Sequence, residues 1–343
     1  MKKIIVIGGG FAGTHVIKEL ESKFDSTLID TKNYFEYTPG ILRTIVSPNH
    51  LKKVQALHKS YLKKARIIVA SVKEINEKYI IADNKKLQYD YLVICSGSDY
   101  DLPIKEQNVV IASRAKHLQQ SSKKLEKAKN ILIIGGGLVG IELAAEICTY
   151  YENKKITIVQ LQNNLIPKNN KKTIAYATSF LEKRGVKILL NDKIKKTEGK
   201  TYITETGKKI KTDIAFLSTG IKLNSKFMLK NFKQALNENN HIKVNEYLQV
   251  QGKKNIFAAG DIIDVKEEKT AQNAEKHASI VAKNILALEK RKPLKKYNSK
   301  KTALVISLGK YNGVLEYNNF VWGGKIPAFL KWLIEKWTML KYR

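Results

Sequence analysis

Residues 3–13 read Lys-Ile-Ile-Val-Ile-Gly-Gly-Gly-Phe-Ala-Gly, and residues 130–140 read Asn-Ile-Leu-Ile-Ile-Gly-Gly-Gly-Leu-Val-Gly. In both, a continuous apolar run stops at three glycines. A run without polar alternation fits a strand covered on both faces, as in a parallel sheet between helices. The glycines then make a tight turn into the next element. Outward from the first copy, the spacing predicts a helix over 11–20 and a strand over 26–29 that ends at Asp30. Outward from the second, it predicts a helix over 138–150 and a strand over 156–159 that ends at Gln160. The chain holds one βαβ unit twice, about 127 residues apart, with no short-period array around it.

Further out, each unit runs into alternating strands. The first segment is expected to pair 67–72 with 79–82, and the second begins at 201–204 near Gly207. Each segment closes on an apolar strand with a small-residue exit. Residues 91–94 precede Cys95-Ser96-Gly97, and residues 214–217 precede Ser218-Thr219-Gly220. A third such strand, 255–258, precedes Ala259-Gly260-Asp261. A long helix is predicted over 270–288, and Pro293 marks a boundary before a basic tail.

The glycine spacing has a chemical reading. In Gly8-Gly9-Gly10-Phe11-Ala12-Gly13, the first fingerprint glycine, Gly8, makes the turn. Gly10 lets a pyrophosphate approach the backbone, and Gly13 lets helix and strand pack closely. The helix start offers free N–H groups and a partial positive charge to phosphates. Asp30, with Lys32 just beyond it, stands where a carboxylate accepts ribose hydroxyls. Gly135, Gly137 and Gly140 repeat the pattern, so two nucleotides are expected. Gln160 replaces the acid of the second copy. It can hydrogen-bond a ribose without repelling a 2′-phosphate, which leaves NADH or NADPH open. Gly260-Asp261 at a strand end can offer an N–H and a carboxylate to a ribityl chain.

Composition sets bounds. At 343 residues the chain has room for two or three cores. No run of about 20 apolar residues exists, so no membrane-spanning helix is expected, and the early first strand argues against a secretory leader. Cys95 and Cys148 are far apart, so neither a redox-active disulfide nor a zinc site is expected. The net charge of +31 fits an anionic partner. The lysines are scattered, as an AT-rich coding sequence would also produce, and no nucleic-acid recognition motif occurs. A nucleic-acid partner is therefore not expected.

These residues together resemble the FAD-dependent pyridine-nucleotide oxidoreductases with two dinucleotide-binding domains. The likeness is strongest to the apoptosis-inducing-factor-like branch with its ferroptosis-suppressor members, and to the related type II NADH dehydrogenases. Residues 219–225, 244–250 and 307–313 carry that narrower likeness. The resemblance implies an α/β fold of the glutathione-reductase type, with the NAD domain inserted in the FAD domain. The boundaries expected are 1–104 and 221–292 for FAD, 105–220 for NAD(P)H, and a C-terminal segment over 293–343. It implies FAD at Gly8–Gly13, NADH or NADPH at Gly135–Gly140, and a non-pumping NAD(P)H:quinone reductase. Disulfide reduction is excluded, because no cysteine pair follows the first helix.

Matched residue by residue, the resemblance assigns Arg43, Val69 and Asp261 to FAD, with Ser96, Gly97, Thr219 and Gly220 at the strand exits. Tyr37-Thr38-Pro39 resembles a segment beside the flavin ring. Glu142 matches a glutamate near the nicotinamide, and Lys331 a lysine of the flavin and substrate region. Ala271-Gln272-x-Ala274 resembles the start of a quinone-site motif. Lys276 departs from that motif, and His277-Ala278 is closer to the suppressor branch. Glu142, Gln272 and Lys331 are thus the residues expected nearest the chemistry.

From Ile326 the tail reads as an amphipathic helix. Ile326, Phe329, Leu330, Leu333, Ile334, Trp337 and Leu340 form one stripe. Lys331, Glu335 and Thr338 lie opposite, while Lys336, Lys341 and Arg343 add charge. Such a helix suits a membrane interface. Docking on the protein's own core, or burial in a homodimer, fits the same pattern. The expectation is a peripheral enzyme on the cytoplasmic, inner face of the cell membrane, passing electrons to a quinone. Two alternatives stay open: a reductase of a soluble ferredoxin- or rubredoxin-type carrier, and a basic flavoprotein that binds nucleic acid or senses redox state.

Overall fold

The computed structural model describes residues 1–100, 109–111, 115–219 and 221–343. The chain opens with β1 (Lys3–Ile7), α1 (Phe11–Leu20) and β2 (Asp25–Asp30), followed by β3 (Arg66–Val69) and β4 (Tyr91–Ile94). A second unit comprises β5 (Val109–Ile111), α2 (Ala115–Lys127), β6 (Asn130–Ile134), α3 (Leu138–Tyr150), β7 (Lys155–Val159), α4 (Lys171–Glu182), β8 (Lys187–Leu189) and β9 (Ile214–Leu217). The chain then returns with β10 (Ile256–Ala258) and α5 (Ala271–Glu289). It ends in β11 (Leu304–Ser307), β12 (Gly313–Tyr317), β13 (Phe320–Gly324) and α6 (Lys325–Leu340).

Two five-stranded parallel sheets form, and their order is the same in kind. The first runs β10-β4-β1-β2-β3, the second β5-β9-β6-β7-β8. In each, the strand before the glycines is central, the next strand of its βαβ unit lies on one side, and a late-arriving strand lies on the other. β10 joins the first sheet beside β4 although the whole second unit intervenes in sequence. β4 and β9 are buried along their full length, as their unbroken apolar runs require. Each such Ile, Val or Leu contributes about 2 kcal/mol on burial. The α/β class with Rossmann-like parallel sheets is therefore as the sequence implies.

Two local expectations are corrected. Residues 67–72 do not form one strand: β3 ends at Val69, and Val72–Ile75 begins a separate antiparallel sheet with Tyr79–Ala82. The break lets β3 finish the parallel sheet while the hairpin projects outward. The tail after Pro293 is also more than a basic extension. β11, β12 and β13 pair as an antiparallel sheet, and α6 packs on it.

Candidate functional site

The two glycine turns are built alike. Gly8 has φ of +97° and Gly135 of +106°, a region L side chains avoid. A Cβ on Gly8 would lie 2.3 Å from the Cys95 carbonyl oxygen, and one on Gly135 would lie 2.3 Å from Thr219 Cγ2. At Gly10 and Gly137, by contrast, an added Cβ would meet nothing within 4 Å. Both residues stand at the N-terminus of a helix, and no side chain caps either α1 or α3. Each turn therefore presents uncapped backbone N–H groups to open space, which is the donor set a pyrophosphate needs.

The strand-end residues also correspond. The Gly9 N–H donates to Asp30 Oδ2 at 2.8 Å, and the Gly136 N–H donates to Gln160 Oε1 at 2.9 Å. Asp30 Oδ1 accepts from the Lys32 N–H at 3.1 Å, and Lys32 Nζ lies 3.6 Å away. Burial pushes the Asp30 carboxyl up, but His58 and then Lys32 outweigh it, so the net shift is downward. Gln160 is nearly buried, and its amide nitrogen donates weakly toward Gln162 and the Asn164 carbonyl, each at 3.3 Å. The second strand end thus carries an amide where the first carries a carboxylate.

Of the remaining expected contacts, Phe11, Ala12, Val69, Ser96, Gly97 and Asp261 lie around the first turn and Thr219 beside the second. Phe11 and Ala12 start α1, and Val69 is 55 % exposed at the end of β3. Ser96 Oγ donates to the Asn224 carbonyl at 2.8 Å, Asn224 returns a bond to the Ser96 carbonyl at 3.0 Å, and Gly97 follows at φ of +59°. Thr219 is exposed against Gly135, while Gly220 lies outside the described residues. Among the described residues no hydrogen bond reaches the Asp261 carboxylate. Its burial pushes the carboxyl up, with Lys269 opposing. A half-buried carboxylate without a donor, next to a turn of uncapped N–H groups, fits a polyhydroxyl chain with a pyrophosphate. The residues present thus fit FAD at the first turn.

Between the sheets, α3 and α6 face each other across the segment Thr38–Ile45. Glu142 Oε1 accepts from Lys331 Nζ and from the Ser307 N–H at 2.7 Å. Four residues on, Glu146 takes Arg43 in a fork, at 2.8 Å from Nη2 and 3.2 Å from Nε. Burial lowers the Arg43 pKa, but Glu146 outweighs that and the net shift is upward. Glu335, one turn after Lys331, lies 3.4 Å from the buried His50. Three acid–base pairs thus join α3, α6 and residues 38–50. Pro39, Gly40 and Trp332 line the same small cleft. Tyr37 is buried beside it, and burial, with Glu335 and Glu142, holds its phenol protonated.

The structure thus brings Glu142, Lys331 and Arg43 together. It leaves Gln272 exposed on the first turn of α5, outside the cleft lining. Glu146 and His50 carry no sequence signal of their own, and Glu335 stands out in the sequence only as part of the polar side of the tail helix. Glu142 and Glu146, like Lys331 and Glu335, are four apart and share a helix face, and that spacing was the available signal. A larger surface hollow, about 380 Å³ and lined by Lys3, Arg66 and Lys86, lies at the opposite end of β1 from the glycine turn.

α6 turns its polar face inward. Thr338, Met339 and Tyr342 are buried with Ala328. Ile326, Phe329, Trp332, Ile334, Trp337 and Leu340 are 40–68 % exposed, and Phe320 and Trp322 of β13 extend the apolar surface. Leu330 and Leu333 are half-buried. Among the described residues no helix is long and apolar enough to cross a membrane. Cys95 is buried, and burial raises its thiol pKa far above neutrality. Burial likewise raises that of Cys148, to about 11. Neither thiol is therefore a thiolate at neutral pH.

Comparisons with known proteins agree with this geometry. The family described as pyridine nucleotide-disulphide oxidoreductase matches residues 2–278. Apoptosis-inducing factor homolog B of Dictyostelium discoideum is 35 % identical, over 92 % of this chain and 89 % of its own length. Ferroptosis suppressor protein 1 of Taeniopygia guttata is 30 % identical, over 96 % of this chain and 92 % of its own. Among solved structures, the sulfide:quinone oxidoreductase of Aquifex aeolicus superposes with a TM-score of 0.89 at 19 % identity, covering 100 % of this chain and 92 % of that one.

Proposed function

This chain belongs to the pyridine nucleotide-disulphide oxidoreductase family, and we propose that within it the chain is an NAD(P)H:quinone oxidoreductase seated on a membrane surface. It is a flavin-dependent NAD(P)H oxidoreductase that uses FAD and NAD(P)H. The finer reading rests mainly on one observation: the helix whose inner face supplies Lys331 to the central cleft carries an exposed apolar stripe on its outer face. A group that feeds electrons to a lipid-dissolved acceptor needs both faces at once. The sulfide:quinone oxidoreductase with the same fold supports the acceptor class.

In this reading, residues 1–104 and 221–292 hold FAD, and residues 105–220 hold the nicotinamide nucleotide. The N–H groups of Gly10 to Gly13 bind the FAD pyrophosphate, Asp30 takes the adenosine ribose, and Asp261 takes the ribityl hydroxyls. Gly135 to Gly140 bind the pyrophosphate of NAD(P)H, and Gln160 meets its ribose. When bound, FAD supplies the hydride-accepting and electron-passing chemistry. The chain supplies position. Glu142, fixed by Lys331 and the Ser307 N–H, orients the nicotinamide end. Lys331 keeps a charged ammonium next to the acceptor, where negative charge develops on reduction. Arg43, tied to Glu146, braces residues 38–45 against α3. Gln272, exposed on α5, borders the acceptor's path. The stripe of α6 rests on the inner face of the cell membrane, and residues 326–343 form the docking element.

Purified protein is expected to be yellow and to oxidise NADH or NADPH when given a short-chain quinone. Absence of NAD(P)H oxidation with every quinone, alongside turnover with a ferredoxin-type carrier, overturns the quinone assignment.

A further inference from the structure

Asp30 works in a nearly dry position, and its neighbours explain how it is held. His58 is fully buried, and its Nε2 faces Asp30 Oδ2 at 3.5 Å, too long and too oblique for a hydrogen bond in this conformation, with no other hydrogen-bond partner among the described residues. Its Nδ1 meets the Tyr61 hydroxyl at 2.5 Å. Tyr61 is itself buried, and burial raises its phenol far above neutral pH, so the hydroxyl keeps its proton. A phenol that donates to Nδ1 leaves the imidazole proton on Nε2, pointing at Asp30. The packing leaves no slack: a Cβ on Gly9 would lie 2.5 Å from both Asp30 Oδ2 and His58 Cε1. The Gly9 N–H binds Oδ2, the His58 ring closes on the same oxygen from the other side, and Oδ1 is left on the side of Lys32.

We propose that His58, oriented by Tyr61, is a positioning residue for FAD, fixing the Asp30 carboxylate in the orientation that receives the adenosine ribose hydroxyls. The proposal rests on the reading of Asp30 as the ribose acceptor. His58 has no exposed atom with which to touch the nucleotide, so it acts only through Asp30. Its support reaches the far end of the chain, since Tyr342 packs its ring 5.0 Å from that of Tyr61 and 4.0 Å from that of Phe35. Besides His58, the titratable groups around Asp30 are Lys32, Tyr61 and, one layer further, Tyr342.

The test titrates FAD into apoprotein and reads flavin fluorescence between pH 5 and 8. His58→Phe fills the space without a donor. It is expected to raise the FAD dissociation constant about tenfold at pH 7 and to move the acid loss of binding to higher pH, because Asp30 loses the donor that favours its charged form. His58→Gln, which keeps an N–H donor, is expected to recover most of the affinity. Tyr61→Phe is expected to give a smaller loss in the same direction, and it carries the test should His58→Phe not fold. Asp30→Asn is the control. Unchanged affinity and pH profile in His58→Phe and Tyr61→Phe, with loss in Asp30→Asn, overturns the role of His58 and leaves the ribose reading standing. Unchanged affinity in Asp30→Asn overturns both.

Discussion

At the end of β7 the chain places an amide where β2 places a carboxylate, and the two make the same bond back to their glycine turns. The difference is therefore one of charge at nearly fixed geometry. Gln160→Glu would bring a negative charge next to the position of a 2′-phosphate. Two like charges about 4 Å apart repel by roughly 1–4 kcal/mol near a protein surface. The ratio of kcat/KM for NADPH to that for NADH should fall by about tenfold or more, as steady-state kinetics with both donors will read. The Glu142–Lys331 pair is a second single-residue case. Both side chains are nearly buried, at 13 % and 14 % exposure. Lys331→Met leaves Glu142 with the Ser307 N–H alone, and removing one partner of such a pair costs about 3 kcal/mol. Lys331→Met/Glu142→Gln keeps an oxygen for Ser307 and strands no charge, so it should lose under about 1 kcal/mol. Chemical denaturation of the two variants decides this, and quinone reduction should fall in both. Neither partnership could be read from the sequence. Residues 142 and 331 are nearly two hundred positions apart, and it was the family likeness that marked each of them.

The stripe of α6 shows what a helix pattern can and cannot tell. The 3.6-residue spacing identifies an amphipathic helix, but the apolar side usually faces in. Here Thr338, Met339 and Tyr342 fill the inner contact, the Lys331–Glu142 pair holds it, and Glu335 lies against His50. The larger aromatics are left outside. Phe329→Glu and Trp337→Glu touch no core residue, so their stability should change by less than about 0.5 kcal/mol. If the stripe seats on a membrane as proposed, each forfeits an aromatic buried in lipid, about 2 kcal/mol, or roughly thirtyfold in partitioning. Vesicle sedimentation next to thermal melting separates the two effects. Deleting residues 326–343 would not, because it also uncovers Phe35 and Tyr61.

α5 gives a pH effect. His277 is buried, with Nε2 2.7 Å from Glu267 Oε1 and the Gly260 N–H donating to Nδ1 at 3.3 Å. Burial lowers its pKa from 6.5 to about 4 against the pull of Glu267. Between those values the unfolded chain binds the proton and the folded one does not, so stability falls as pH falls through that window. The slope from this residue is up to about 1.4 kcal/mol per pH unit. His277→Gln should flatten it by that amount in melts from pH 6.5 to 4.

On the scale of the molecule, the parallel sheets were legible because each is announced locally: an apolar run, three glycines and a helix. The return of β10 to the first sheet was legible only as one more strand with a small-residue exit, since no local signal states which sheet a strand joins. The β11–β13 sheet is not announced in the sequence because its strands are short and half-exposed, and the last two begin or end in glycine. Yet that sheet carries α6, and with it the charge argument that composition alone left open. After Pro293 the only acids are Glu316 and Glu335. Both turn inward, Glu316 to Asn169 and Asn170 and Glu335 to His50. Around the apolar stripe, Lys325, Lys336, Lys341 and Arg343 are exposed. A surface of this kind gains about 1 kcal/mol per cation near an anionic bilayer, in addition to its apolar contribution. Raising the salt from about 0.1 M to about 1 M shortens the screening length from roughly 10 Å to roughly 3 Å. Binding to anionic vesicles should then weaken by up to several hundredfold and level off at the affinity seen for zwitterionic vesicles, where the aromatics act alone. Salt-independent binding would show the cations to be spectators, and binding abolished by salt would show the same of the stripe.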